Sequence, residues 1–426
     1  MYRKIISCAI VATILIVTDV NAQLKHSATS AFPSYKGLVM AGYQGWFNAP
    51  DDGAGRGWNH YHNGKKFEPG NCKFDLWPDM TEYKKTYATP FKYADSSTAY
   101  LFSSYDKSTV DLHFKWMKEY GVDGAFVQRF VSTVRSGTSL KHNNTVLAHA
   151  LDAAKKYHRA IAVMYDFSGM RDSTDVPLII NDWKNLVDSL HLTTGGKHQP
   201  YLYHNNKPLV ALWGVGFAGR KYTSRSIRRI MDFLQYDPVY GGCAILLGVP
   251  TGWREQKGDA GSDTAFVGLL KSADIIQPWF VGRFNANNIN DQPKRIAADL
   301  AWCKANNVDY VPVVYPGFSW HNMYPTNPTD QIPRNRGTFY WQQIAGAINA
   351  GVGMLYVAMF DEIDEGTAIF KVSTNPPVGA SPFVKFETGI PSDYYLYLTG
   401  KAGAMLRKQE PLSLQVPLPP TISNKN

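Results

Sequence analysis

Short apolar runs rich in β-branched residues alternate along the chain with stretches in which apolar positions recur every three or four residues. The short runs predict β-strands, and the periodic stretches predict amphipathic helices. The predicted strands number eight and lie at 37–47, 121–130, 160–167, 208–217, 241–249, 273–281, 308–318 and 353–360. A helical stretch follows each strand, and the last one, at 392–406, begins with a Ser-Asp pair typical of helix caps.

This alternation predicts an α/β protein whose parallel strands close into a (β/α)8 TIM-type barrel. Several predicted strands are apolar on both faces, as expected for a parallel sheet covered by helices. An open doubly wound sheet is the alternative that the pattern leaves open. The connection after the first strand, roughly 48–109, is rich in Gly, Trp and Tyr, and we expect it to form a long loop lobe over one rim.

The two ends of the chain differ from the barrel region in composition. Residues 1–22 combine a basic start, an apolar run too short to span a membrane, and the stretch "VNA", which ends in a small residue that suits cleavage after Ala22. Together these features predict a signal peptide. A retained anchor is the alternative. Residues 23–35 form a polar lead-in, 36–406 form one barrel domain, and 407–426 form a proline-rich tail. The sequence thus predicts a secreted or periplasmic protein, with association at the cell surface left open.

Composition and charge narrow the classes of partner. Charged residues make up 19% of the chain and aromatic residues 13%, a composition often found in carbohydrate-handling proteins because sugar rings stack on aromatic faces. The net charge of +9 is dispersed, and no nucleic-acid-binding module is recognisable, so we expect no nucleic-acid partner. Without the signal peptide, Cys72, Cys243 and Cys303 allow at most one disulfide and form no CxxC motif. We expect a monomer with no stable membrane insertion.

Polar and aromatic residues gather where the predicted strands end. Active sites of barrels lie at the carboxyl ends of the strands, so side chains at these positions are expected to meet around one opening. Tryptophans mixed with polar groups suit a polyhydroxylated ligand better than an apolar one. The residues predicted to contact a sugar are Tyr43, Gln44, Trp46, Gln128, Asp166, Trp279, Tyr315 and His321.

The stretch "MLYVAMFDEIDEGTAIF" ends an apolar strand in four carboxylates, Asp361, Glu362, Asp364 and Glu365. Crowded carboxylates raise one another's pKa, so one of them can stay protonated near neutrality. Glycoside hydrolysis usually needs two carboxyl groups, one of which donates a proton. Glu362 and Glu365, three positions apart, would share one side of a helical turn and are the predicted catalytic pair. A metal site and a solvated acidic loop are the alternatives; the segment lacks DxDxDG spacing, and we expect neither metal nor cofactor.

The segment "FDEIDEGTAIF" resembles the "NEWHEGT"-type motif of glycoside hydrolase family 99, the endo-α-mannosidases, and of their looser family 71/99-like relatives. "GYQGWF" at the first strand is similar to the aromatic opening strand of the same group. The resemblance implies a (β/α)8 barrel and a retaining reaction through a 1,2-anhydro sugar. It implies that Glu362 is the base acting on the sugar's own 2-hydroxyl and that Glu365 is the general acid and then base.

The motif also departs from the family pattern. Asp361, Ile363 and Asp364 stand where the family has Asn, Trp and His, which favours a 99-like relative over a true endo-α-mannosidase. The sequence therefore predicts a glycoside hydrolase acting on an oligo- or polysaccharide. Two alternatives stay open: a conventional double displacement that pairs Asp166 with Glu365, and a non-catalytic glycan-binding protein on the same barrel.

Overall fold

A computed structural model describes residues 23–419, apart from 63, 65 and 136; the predicted signal peptide and the last seven residues lie outside this part. Nine strands form one parallel sheet in the order β10-β9-β8-β7-β5-β4-β1-β12-β11. Its strands are β1 (Val39–Tyr43), β4 (Gly124–Phe130), β5 (Ala160–Asp166), β7 (Lys207–Trp213), β8 (Ala244–Val249), β9 (Ile275–Pro278), β10 (Asp309–Tyr310), β11 (Val313–Val314) and β12 (Leu355–Val357).

The seventh predicted strand closes the sheet into a barrel, because it is split into β10 and β11 and pairs on both sides. Strand β10 pairs with β9, and β11 pairs with β12. Between the two halves, the Val311 N–H donates to the carbonyl of Ile276, and the Pro312 carbonyl accepts from Tyr356. A proline has no N–H to contribute to a ladder, so the strand breaks at this point. The predicted (β/α)8 barrel is confirmed.

The helices follow the strands as predicted. Helix α1 buries Val110, Phe114 and Met117, the apolar face that its sequence indicated. The Thr223 side chain caps α5 by accepting from the backbone N–H of Ser226. The helices are α1 (Lys107–Tyr120), α2 (Val131–Val134), α3 (Gly137–Tyr157), α4 (Asp172–Ser189), α5 (Ser224–Tyr236), α6 (Thr264–Ser272), α7 (Gln292–Ala305), α8 (Thr338–Asn349) and α9 (Tyr394–Leu406).

Three short strands were not predicted. Strands β2 (Tyr87–Lys92) and β3 (Thr98–Leu101) form an antiparallel pair inside the connection after β1. Strand β6 (Tyr203–His204) pairs antiparallel with the start of β7. That the connection after β1 forms a lobe over the rim stays a prediction.

The barrel strands are buried on both faces, which explains their uninterrupted apolar sequences. A buried ion pair ties strand to helix outside the barrel: the Arg129 guanidinium at the end of β4 binds both carboxylate oxygens of Asp182 on α4, and the Tyr165 hydroxyl donates to the same carboxylate at 2.8 Å. Among the described residues, no helix is both long and apolar enough to cross a membrane.

Candidate active site at the mouth of the barrel

The four carboxylates sit on a tight turn that begins directly beyond β12. The backbone N–H groups of Thr367 and Ala368 both donate to the carbonyl of Glu362, at 3.1 and 3.0 Å. Gly366 reverses the chain at φ +65°, where a Cβ would lie 2.7 Å from the backbone nitrogen of Ser319. Only glycine fits this conformation and this close approach. The turn therefore directs both glutamates toward the opening of the barrel.

Glu362 is buried, with 5% of its surface exposed. Its carboxylate accepts from the Gln44 side-chain amide at 2.7 Å and from the Thr367 hydroxyl at 3.1 Å. Burial, together with the charges of Glu365 and Asp364, raises the pKa of the Glu362 carboxyl well above its ordinary value. The two donors oppose this effect, because hydrogen bonds to a carboxylate favour its charged form.

The Glu365 carboxyl has a different environment: it makes no side-chain hydrogen bond with a described residue and reaches the cavity partly exposed. Burial and the charge of Asp364 raise the pKa of Glu365 to about 7, while Lys73 opposes the shift. Without donors to stabilise the anion, Glu365 is the member of the pair better suited to hold a proton. The two glutamates thus have the unequal environments that acid and base roles require.

Asp361, the first carboxylate, has a structural role. It accepts from the backbone N–H groups of Gln44 and Gly45 at 2.7 and 2.8 Å, and so joins the end of β1 to the turn after β12. Burial raises the pKa of Asp361 to about 7. This contact also places the Gln44 side chain against Glu362.

Asp364 faces a partly buried histidine. Its Oδ2 lies 3.4 Å from His60 Nδ1, and its Oδ1 has no partner among the described residues. Burial lowers the pKa of His60. The His60 ring stacks on Trp46, with ring centroids 3.9 Å apart and planes 6° apart. The acidic turn thereby supports an aromatic wall of the site.

Both glutamates line a cavity of about 210 Å³, hereafter the catalytic cavity. Asp166, at the end of β5, also faces it; burial raises the pKa of Asp166 to about 6, and its carboxylate accepts from the Ser168 N–H at 2.6 Å. Five of the eight residues predicted to contact a sugar line this cavity, namely Gln44, Trp46, Gln128, Asp166 and Trp279.

The other three predicted contact residues lie outside the catalytic cavity. Tyr43 is fully buried, and its hydroxyl lies 2.9 Å from His113 Nδ1. The Tyr315 hydroxyl donates to the carbonyl of Phe284, and His321 Nδ1 lies 2.6 Å from the carbonyl of Asn327. These hydrogen bonds direct the Tyr315 hydroxyl and His321 Nδ1 to backbone carbonyls.

Four further residues line the cavity and were not among the predicted contacts: Phe130, Ser168, Trp213 and Met359. The feature of the sequence that could have predicted them is their position at or just beyond the ends of the predicted strands. Trp213 stands edge-on to Trp279, with centroids 5.2 Å apart.

Several polar atoms of the residues that line this cavity have no hydrogen-bond partner in the described part of the chain. Gln44 Oε1, Gln128 Oε1 and the indole nitrogens of Trp46 and Trp213 are buried and form no hydrogen bond with a described residue. Buried polar groups are normally paired, so these atoms are available to a ligand with many hydroxyl groups. A closed barrel whose mouth holds two neighbouring glutamates beside tryptophan faces is an arrangement typical of glycoside hydrolases.

Comparisons with known proteins agree with this class. The chain is 21% identical over 365 residues to the glycoprotein endo-alpha-1,2-mannosidase of Rattus norvegicus, a match that covers 80% of this chain and 69% of that protein. The Mus musculus protein of the same name is 20% identical, over 83% of this chain and 72% of its own length. No family model matches the chain.

The fold is similar to that of the GH99 endo-alpha-mannosidase from Bacteroides thetaiotaomicron. The TM-score is 0.63 at 16% identity, and the match covers 88% of this chain and 99% of the other. The predicted resemblance to glycoside hydrolase family 99 is confirmed: these matches support a glycoside hydrolase that is family 99-like.

Proposed function

We propose that the protein is a retaining glycoside hydrolase in which Glu362 is the base and Glu365 is the acid. The observation that carries the proposal is the unequal environment of two glutamates lining one cavity. Glu362 accepts two hydrogen bonds that favour its anion, whereas the Glu365 carboxyl accepts none from a described residue. Mutual repulsion disfavours two charges, so the pair retains one proton near neutrality. We assign this proton to Glu365 in the reacting state, because the two hydrogen bonds to Glu362 favour the anion of Glu362.

The first step breaks the glycosidic bond. Glu362 removes the proton of the substrate's 2-hydroxyl, and O2 attacks C1 to form a 1,2-anhydro sugar. The C1–oxygen bond breaks, and the departing oxygen takes the proton of Glu365. Glu365 then accepts a proton from water, which attacks C1 and opens the three-membered ring, while Glu362 returns its proton to O2. Two inversions at C1 leave its configuration unchanged.

The relatives' names suggest a substrate class. Because the similar curated proteins are endo-alpha-1,2-mannosidases, α-mannosides belong among the first substrates to test. The departures at Asp361, Ile363 and Asp364 argue for testing other α- and β-linked glycans alongside them. The predicted signal peptide supports a site of action outside the cytoplasm.

The direct test is hydrolysis of a panel of oligo- and polysaccharides, with product analysis. We expect Glu362→Gln and Glu365→Gln each to lower turnover by about 10³-fold, since each removes a proton-transfer group. Glu119→Gln on the outer helix α1, where Glu119 pairs with Lys115, is the matched control and should keep the parent rate. Glycan binding without hydrolysis by the parent protein would instead establish a non-catalytic binding protein.

The double-displacement alternative has its own observation, because Asp166 lines the same cavity as Glu365. A 2-deoxy-2-fluoro glycoside of the preferred substrate separates the two routes, since it lacks the 2-hydroxyl on which Glu362 would act. The proposed route predicts no turnover and no covalent adduct with this reagent. A mass increase localised to Asp166 would overturn it in favour of a carboxylate nucleophile.

A further inference from the structure

The catalytic cavity continues into a second, larger space. This outer cavity, of about 450 Å³, includes Arg283, Asn285, Trp320 and Gln331 in its lining. Trp279 and Glu365 line both spaces, whereas Glu362 lines the catalytic cavity alone. Glu365 therefore stands at the junction between the two.

The position of Glu365 indicates which end of the substrate lies in the outer cavity. In the proposed reaction the leaving group takes the proton of Glu365, so the leaving group must extend past that residue. The outer cavity is the space on the far side. Its lining includes the Trp320 indole nitrogen and Gln331 Oε1, both buried and without a partner among the described residues. These atoms are suited to hydrogen bonding with sugar hydroxyls of the leaving group.

Beyond the outer cavity lies a third space, a basic cleft of about 780 Å³ that shares Arg283 with it. Its lining carries three carboxylates, Glu255, Asp259 and Asp291, against a larger set of cations. The cationic side chains are Arg254, Lys257, Arg283, Lys294 and Arg295.

The cations of this cleft are not equally neutralised. Arg254 is bound by the buried Asp299 and by Glu255, so its charge is balanced within the protein. Lys294 pairs with Asp291, and Arg295 pairs with Glu255. Of the two remaining cations, Lys257 makes no ion pair with a described residue, and Arg283 uses only Nε to reach Asp259, at 2.9 Å. Both terminal amino groups of Arg283 thus remain available to a ligand.

We infer that the leaving-group side of the substrate is anionic, with carboxylate or sulfate groups on the sugars that lie in the basic cleft beyond Glu365. This inference rests on the proposed function and names the substrate class of the same site. A guanidinium binds such oxyanions through paired hydrogen bonds, and Lys257 adds a mobile positive charge at the same cleft. The catalytic cavity, by contrast, is lined by carboxyls and by no cationic side chain, so it suits a neutral sugar at the cleaved bond.

The test is calorimetric binding of a graded ligand series to the full chain carrying Glu365→Gln, so that ligand is not consumed. The probes are a chondroitin sulfate hexasaccharide, its desulfated form, which keeps the carboxylates, and the desulfated form with its carboxyl groups reduced. We expect the neutral form to bind at least about tenfold more weakly than an anionic form. Loss of affinity on desulfation identifies sulfate as the recognised group; loss only on carboxyl reduction identifies carboxylate.

A pair of double variants locates the binding. Lys257→Gln with Arg283→Gln should weaken binding of the anionic ligand about tenfold. The control, Arg225→Gln with Arg229→Gln, removes the same charge from two exposed residues of helix α5 and should change affinity less than twofold. Lys257→Glu alone is a second variant. Because Lys257 is exposed and makes no ion pair with a described residue, this substitution should not destabilise the fold.

The inference is overturned if the three ligands bind equally, if none binds, or if both double variants lose the same affinity, which would indicate attraction by net charge alone. The outcome for the proposed function is read separately. Charge-selective binding at the cleft by a protein that hydrolyses no glycan would overturn the proposed function and leave the cleft assignment standing. Hydrolysis of a neutral glycan by a protein that binds the three ligands without charge selectivity would support the proposed function and overturn the cleft assignment.

Discussion

At the scale of single residues, the site depends on how unequally the protein treats four neighbouring carboxylates. Asp361 is used to hold the backbone, Glu362 receives two side-chain donors, and Glu365 receives none from the described residues. Asp364 adds a negative charge that raises the pKa of its neighbours. Each role follows from hydrogen-bond partners and burial, since the four side chains differ little in chemistry.

The contribution of Asp364 can be measured from the pH dependence of kcat/KM. Its charge raises the pKa of Glu365, so Asp364→Asn should lower that pKa and move the alkaline limb of the profile to lower pH. We expect the rate at pH 8, relative to that at pH 6, to fall about fivefold. Asp152→Asn, at an exposed ion pair with Lys107, should leave the profile unchanged. An unshifted limb in Asp364→Asn would show that Asp364 does not act on the acid.

At the scale of the elements, the site is assembled where the first and last barrel strands meet. Strand β1 pairs with β12, and Asp361 extends this pairing beyond the strand ends through the N–H groups of Gln44 and Gly45. At Gly42 in β1, a Cβ would lie 2.2 Å from the Met359 side chain and 2.3 Å from the Tyr356 hydroxyl, so a larger residue would have to displace both side chains. The join is therefore both hydrogen-bonded and closely packed.

Removing that join should destabilise the protein. Asp361→Ala leaves two backbone donors without their acceptor, and we expect the free energy of unfolding in urea to fall by about 2–4 kcal/mol. Asp188→Ala is the control, because Asp188 forms an exposed ion pair with Lys25 that is worth about 1 kcal/mol or less. Equal losses in the two variants would mean that Asp361 does not hold the strand ends together.

The hydrophobic pattern predicted the eight strand–helix units because each barrel strand is covered on both faces and each helix buries one stripe. It did not reveal β2, β3 and β6, which are short and antiparallel and lack that signature. The hydrophobic pattern also does not predict which side chains at a strand end face the site. Tyr43 and Gln44 are adjacent in sequence, yet Tyr43 contacts His113 while Gln44 contacts Glu362. Successive side chains of a strand point to opposite faces, and the rule that active sites lie at strand ends does not say which face.

At the scale of the whole molecule, the barrel keeps several carboxyls in a buried state that favours the protonated form. Burial raises the pKa of Asp361 and of Glu365 to about 7, and that of Asp166 to about 6. In the unfolded chain these groups have pKa values near ~4. The folded state therefore binds protons more tightly, and its stability declines as pH rises through the folded pKa values.

This linkage gives a prediction for thermal unfolding. Buried histidines act in the opposite direction, because burial lowers the pKa of His113 to about 3 and that of His142 to about 4. In the unfolded chain a histidine is half-protonated at about pH 6.5 and neutral at pH 8, so the histidines raise stability over this interval, by an amount that the parent and Glu365→Gln share. We expect the free energy of unfolding of the parent to fall by about 1 kcal/mol from pH 6.5 to 8 relative to that of Glu365→Gln. An equal pH dependence of stability in the two proteins would contradict the assignment.

The measurement that tests the central claim most directly compares leaving groups. Glu365 as acid is needed for a poor leaving group such as a sugar hydroxyl, and is dispensable for 2,4-dinitrophenolate. Glu365→Gln should therefore release dinitrophenolate in the first turnover within about tenfold of the parent rate, while losing about 10³-fold on the oligosaccharide. Glu362→Gln should lose both activities. Equal losses on the two substrates in Glu365→Gln would contradict the account.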